Sequence, residues 1–146
     1  MEYVLMDQVH VEAVAHLETV CFSDPWSVHS IQSELKNPLS LWIVALDSGR
    51  VVGYVGSQSV MGWGDMMNLA VDPAYRKRGI GRQLVCKLVE KLKENDVTCL
   101  TLEVRVSNLP AVNLYSSLGF MEVGRRPGYY RNPKEDALIL RKEWGT

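Results

Sequence analysis

The stretch Leu69-Ala-Val-Asp-Pro-Ala-Tyr-Arg-Lys-Arg-Gly-Ile-Gly-Arg-Gln-Leu-Val85 constrains the fold more than any other part of the chain. It opens as an apolar strand, passes a Pro-containing turn, gathers Arg76, Lys77, Arg78 and Arg82 around two glycines, and continues as an amphipathic helix. Helical spacing puts Ile80, Leu84, Val85, Leu88, Val89 and Leu92 on one stripe, with Lys87, Glu90, Lys91, Lys93 and Glu94 elsewhere. The helix starts badly, however. Gly79 and Gly81 each cost about 1 kcal/mol relative to Ala if they are helical, so their presence points to a demand other than helix stability, such as close approach of the backbone to a ligand. Unpaired N–H groups and the positive end of the dipole make a helix start attractive to anions, and the neighbouring cations add to this. The stretch reads as a phosphate cradle.

Around it the chain alternates extended and helical segments. Tyr3–Met6 reads as a strand, Asp7 as the cap of a helix reaching Phe22, and Ser27 as the cap of a second helix that ends at Asn37-Pro38. Leu41–Leu46 and Val51–Val60, joined by Asp47-Ser-Gly-Arg50, form a hairpin signal. Asp65–Val71 is the strand before the cradle, the helix runs from about Gly79 to Asn95, and Val97–Val106 is a further strand on which Glu103 shares a face with Thr101. Asn108-Leu-Pro110 starts a short helix that Gly119 closes. Phe120–Arg125 and Asp136–Arg141 are final strands around a Pro/Gly/Tyr/Asn loop. The order β-αα-βββ-α-β-α-ββ, with no linker or repeat, predicts a mixed α/β sheet carrying helices, in a single domain over residues 1–146.

Bulk properties remove several classes of function. A net charge of -1 argues against generic nucleic-acid binding, because the basic cluster is local. Cys21, Cys86 and Cys99 are odd in number and lack a CxxC, so neither a disulfide framework nor a metal site is expected; His10, His16 and His29 have no ligand-like spacing. No run approaches a membrane span, the N-terminus does not read as a signal peptide, and a reducing cytoplasm is the expected compartment. The glycine loop is neither GxxxxGK[ST] nor GxGxxG, and there is no GxSxG elbow. What remains is a short Gly-x-Gly with basic neighbours, suited to a pyrophosphate held by backbone amides.

Two motifs in the expected order change the weight of these features. Arg76-x-x-Gly79-x-Gly81, after Asn68-Leu-Ala-Val-Asp-Pro73, and the later Asn108-x-x-Ala111-x-x-Leu114-Tyr115-x-x-Leu118-Gly119-Phe120 resemble the GCN5-related N-acetyltransferase (GNAT) family. Phe22-Ser-Asp-Pro-Trp-Ser27, Leu102-Glu-Val-Arg-x-Ser-Asn108 and the tail Tyr129-Tyr130 with Pro133-x-Glu135-Asp-Ala-Leu-Ile-Leu140 are similar to its ribosomal-protein-alanine acetyltransferases. The resemblance spans essentially the whole chain. It implies a mostly antiparallel central sheet of six to seven strands flanked by about four helices.

The resemblance also implies a division of labour. Leu69, Ala70 and Val71, on a bulged strand, would present backbone groups to the acetyl and pantetheine portions of acetyl-CoA. Arg76, Lys77, Arg78, Gly79, Ile80, Gly81 and Arg82 would hold its pyrophosphate, and Asn108 would contact it. Glu103 would be the general base and Tyr115 the general acid in direct transfer to an amine, with a bulge freeing the Val71 N–H for the oxyanion. The Asp24-Pro-Trp26 turn and Tyr129/Tyr130 would wall a groove for the N-terminal alanine of a ribosomal protein. No metal, nucleic acid or membrane partner is implied. Two other readings share the cofactor residues: acetylation of a small-molecule amine or other protein N-termini, and a non-catalytic acyl-CoA-binding module.

Overall fold

The computed structural model describes residues 1–144. Strands β1 (Glu2–Leu5), β2 (Ser40–Asp47), β3 (Arg50–Val60), β4 (Trp63–Val71), β5 (Cys99–Arg105), β6 (Met121–Tyr130) and β7 (Glu135–Glu143) form one sheet in the order β1-β2-β3-β4-β5-β7-β6. Neighbours are antiparallel except β4 and β5, which run parallel. The helices are α1 (Val11–Cys21), α2 (Val28–Glu34), α3 (Ile80–Glu94) and α4 (Leu109–Ser117). No helix among the described residues is long and apolar enough to cross a membrane.

Both faces of the inner strands are covered, as their near-continuous apolar runs require. Alternation along β2 sends Trp42 and Val44 into one core, with Val11, Val14, Leu17 and Ile31 of α1 and α2. Ile43 and Ala45 enter the other, against the α3 stripe. All six residues of that stripe are buried, each contributing about 1.5–3 kcal/mol of hydrophobic stabilisation.

Local chemistry sets most boundaries. Asp7 caps a short 3-10 turn, Gln8–His10, before α1 begins at Val11, so the first helix is tighter at its start than its apolar spacing suggests. The Ser27 side chain accepts from the Ser30 N–H, and Asn108 from the Ala111 N–H, as caps. Ser48 and Gly49 both take positive φ, 50° and 83°, the conformation that matches hairpin twist. Gly79 is not helical: at φ 78° it is the residue before α3. Strand β6 extends through Tyr130, so Tyr129 and Tyr130 stand at a strand end rather than in the loop expected there.

The sheet opens between β4 and β5. They pair only through Trp63–Asp65 against Cys99–Thr101. In the β3–β4 ladder Gly56 opposes Asn68 and Ser57 opposes Met66, which leaves Met67 as an extra residue. Such a bulge bends its strand and increases its twist. β5 meanwhile keeps a continuous ladder with β7 from Cys99–Glu143 to Arg105–Ala137. The two strands are therefore led apart beyond Asp65. The bulge expected to free Val71 lies at Met67 instead, and Val71 opposes Gly53 in register.

Gly56 has a packing role in this region. It lies directly opposite Trp42, and a Cβ there would sit 2.3 Å from the indole Cε2. The indole stacks on Tyr54 with centroids 6.0 Å apart and meets the Trp26 ring edge-on at 5.5 Å. Gly56→Ala forces Trp42 or the strand to shift, and we expect a loss of about 1–3 kcal/mol, the usual cost of overpacking. Urea unfolding followed by tryptophan fluorescence checks this.

Candidate active site

Beyond the point where β4 leaves β5, a cleft of about 930 Å³ opens. Met66, Asn68 and Leu69 of β4, Leu102, Glu103 and Arg105 of β5, and Tyr115 of α4 line its interior. One side is the turn between α1 and α2, with Cys21, Asp24 and Trp26; the other is Tyr129, Tyr130 and the segment that follows. The candidates Glu103, Tyr115, Leu69, Asn108, Asp24, Trp26, Tyr129 and Tyr130 are thus brought together. Ala70, Val71 and the loop Arg76–Arg82 are not among the lining residues.

Backbone direction explains what β4 offers. The Asp72 N–H donates to the Val52 carbonyl at 2.8 Å, toward β3. Alternation then directs the N–H groups of Leu69 and Val71 away from β3, toward the gap. The Val71 carbonyl points the same way, since Arg76 Nε donates to it at 3.4 Å and the Cys21 thiol at 3.8 Å. Strand separation, and not a bulge at Val71, is what leaves these groups off the ladder.

The glycine loop lies beside the end of β4 and α4. Lys77 and Gly79 both adopt positive φ, 63° and 78°, and the Gln83 N–H is bonded to the Gly79 carbonyl. The N–H groups of Ile80, Gly81 and Arg82 precede any helical acceptor, the arrangement that favours an anion. A Cβ at Gly81 would lie 3.6 Å from Leu114 Cδ2 and 3.9 Å from Val71 Cγ2, so α3 begins between the end of β4 and α4. The basic side chains around the loop take separate partners. Arg78 stacks over Tyr75 at 4.9 Å, Arg82 donates to Ser117 Oγ at 2.6 Å, and Arg76 reaches back to Val71 and Cys21.

Glu103, opposite Ile139 in the β5–β7 ladder, pairs with Arg126 of β6 at 3.3 Å. Tyr115 is buried in the floor, edge-on to Phe120 at 5.5 Å, and its hydroxyl donates to Met66 Sδ at 3.7 Å. Burial, with a smaller contribution from Tyr130, raises its pKa, so the phenol remains a donor throughout the neutral range. Tyr130 is half-buried, and burial, with Tyr129 and Glu103 adding, pushes it up to about 12. Burial also raises the Cys21 thiol despite nearby Arg76, so Cys21 is no ready thiolate.

Comparison with known proteins identifies the family. The acetyltransferase (GNAT) family model matches residues 11–120. This chain belongs to the GNAT family. The acetyltransferase is 34% identical over 137 residues to the [ribosomal protein bS18]-alanine N-acetyltransferase of Escherichia coli K12, covering 92% of each chain. The same name is assigned provisionally to a Bacillus subtilis relative, 39% identical over 131 residues, with 89% of this chain and 87% of that one covered. The crystal structure of the E. coli ribosomal-protein-S18-alanine N-acetyltransferase superposes with a TM-score of 0.91 at 31% identity, over 99% of this chain and 94% of that one. The GNAT fold expected from the two motifs is the fold observed.

Sequence reasoning missed the residue that holds one wall of this acetyltransferase's cleft. Glu18 is fully buried in α1. Its carboxylate accepts from the Trp26 N–H at 2.9 Å, from Asn68 Nδ2 at 2.8 Å and from the Tyr54 hydroxyl. A glutamate among the core positions Val14, Leu17 and Glu18 was the available signal, because a buried carboxylate requires donors. Glu18→Ala leaves these donors without their acceptor, and we expect at least about 2 kcal/mol of destabilisation. Urea unfolding measures the loss, and the intrinsic fluorescence of the folded variant reports a loosened Trp26.

Proposed function

We propose that this acetyltransferase transfers acetyl from acetyl-CoA to the N-terminal alanine of a small-subunit ribosomal protein. The observation that carries the reading is that Glu103 and Tyr115 face one cleft, between an exposed aromatic strand end and the Trp26 turn. The names borne by relatives at 34% and 39% identity support the acceptor.

In this mechanism the N–H groups opening α3, with the cations around them, bind the CoA pyrophosphate, and Asn108 contributes its amide. The pantetheine arm lies along Leu69–Val71, completing in place of β5 the edge that β4 leaves unpaired. Glu103 receives the acceptor's proton, directly or through a water. An α-amine has a pKa of about 7.7–8.0 against about 10.4 for lysine, so a terminal amine is already partly neutral at pH 7. Its lone pair attacks the thioester carbon, and the Val71 N–H meets the developing oxyanion. The C–S bond then breaks, and Tyr115 donates a hydrogen bond to the departing sulfur. A raised phenol pKa makes this stabilisation a better description than full proton release. The raised Cys21 thiol supports transfer without an acyl-enzyme.

Released thiol, measured with acetyl-CoA and a short peptide beginning in Ala, tests the activity against a panel of free amines. Preference for the peptide is expected; preference for a small amine overturns the acceptor. Glu103→Gln and Tyr115→Phe should each slow transfer by roughly 10²–10⁴-fold at saturating acetyl-CoA, and wild-type turnover in both removes the assigned roles. Gly79→Asp brings a negative charge to the phosphate site, and we expect acetyl-CoA affinity to fall by at least about tenfold in calorimetry. Gly79→Ala, which shares the positive-φ strain without the charge, is the control.

A further inference from the structure

Arg105 lies two positions beyond Glu103 on the same face of β5, and both line the cleft. Its guanidinium is committed to the segment that closes the Tyr130 side. Nη1 donates to the Pro133 carbonyl at 2.8 Å and pairs with Glu135 Oε1 at 3.2 Å. Nη2 donates to the Arg131 carbonyl at 3.1 Å, and the guanidinium carbon lies 4.4 Å from the Tyr130 ring centroid. The other Glu135 oxygen accepts from the Ser107 N–H at 2.7 Å, just before the Asn108 cap of α4. Hydrogen bonds from Ser107, with Arg105 adding, hold the Glu135 carboxyl below its ordinary range, so the pair is charged at neutral pH.

As an ion pair alone this would stabilise the fold little, because both side chains keep some exposure. Its geometry is the informative part. A planar fork can satisfy two backbone carbonyls and a carboxylate while stacking on an aromatic ring, and an ammonium cannot. These bonds join the stretch from Tyr130 to Pro133 to the strand that carries Glu103 and to the turn that starts α4.

We infer that Arg105, braced by Glu135, is a positioning residue for the acceptor: it holds the segment after β6 as a formed wall beside Glu103, against which the residues following the acceptor amine lie. The role rests on the peptide-acceptor reading above. An acceptor that ends at its first residue has nothing to lay against this wall, so it should be indifferent to the clasp.

Wild type, Arg105→Gln, Arg105→Lys and Glu135→Gln are compared with acetyl-CoA and two acceptors, a short peptide beginning in Ala and alaninamide. Arg105→Gln and Glu135→Gln should raise the peptide KM by about tenfold or more while kcat stays within about threefold, and kcat/KM for alaninamide should hardly change. Arg105→Lys should recover little. Equal losses on both acceptors would assign Arg105 to general structure and overturn the role, as would an unchanged peptide KM. Should Arg105→Gln fail to fold, Glu135→Gln decides by the same ratio. Amide exchange across residues 130–134, faster in the variants, reads the clasp without any acceptor. Wild-type enzyme that ignores the peptide would remove the acceptor reading, and the role with it; a peptide-active wild type with variants of unaltered KM would remove the role alone.

Discussion

The candidate site of this acetyltransferase depends on β4 and β5 parting after three residues of parallel pairing. Backbone donors inside a sheet ordinarily have strand partners, and leaving them without any in an interior is costly. Here the gap is open to solvent and floored by Met66, Leu102 and Tyr115, so the Leu69 N–H faces the cleft, and the Val71 N–H points into the gap beyond its lining. The same separation makes room for the start of α3 and for α4 to close against each other, with Gly81 between Val71 and Leu114. A glycine loop, a strand edge and the tyrosine helix converge because one ladder stops early.

Buried carboxylates hold what surrounds the gap. Glu18 ties the Trp26 turn to β3 and β4, and Glu34 accepts from Ser40, Trp42 and Gln58 beneath the indole on which Trp26 rests. Hydrophobic contact is non-directional and would let an exposed turn slide. A carboxylate surrounded by donors has few alternative arrangements, because losing any partner exposes the cost of its desolvation. On the opposite side Arg105 and Glu135 act with similar directionality on a loop that has little apolar packing of its own.

In the proposed chemistry, binding and reaction are assigned to different elements. The helix start offers fixed N–H groups whose value is electrostatic and independent of the acceptor. Glu103 and Tyr115 work in contrasting surroundings. Glu103 is partly exposed beside Arg126, with access to solvent for its proton; Tyr115 is enclosed and stays neutral, able to donate without ionising. That contrast suits a base and a hydrogen-bond donor operating in a single step.

Much of this was legible in the chain itself. The α3 stripe, the Ser27, Asn108 and Gly119 helix ends and the element order all follow from periodicity and turn chemistry within a few residues of each other. Motif resemblance added Glu103 and Tyr115, which their own surroundings in sequence would not have singled out. Local signals failed where distant residues compete. The bulge falls at Met67 because of the register with Gly56 and Ser57, and β6 runs on to Tyr130 because β7 is there to pair with it. Glu18 looks like one turn of an ordinary amphipathic helix until Asn68, fifty positions away, donates to it. The sequence by itself determined which segments are helix or strand, since those are short-range properties of the backbone. Only the tertiary structure decided that two strands separate, and which side chains meet in the space between them, because that depends on register and contacts across the sheet.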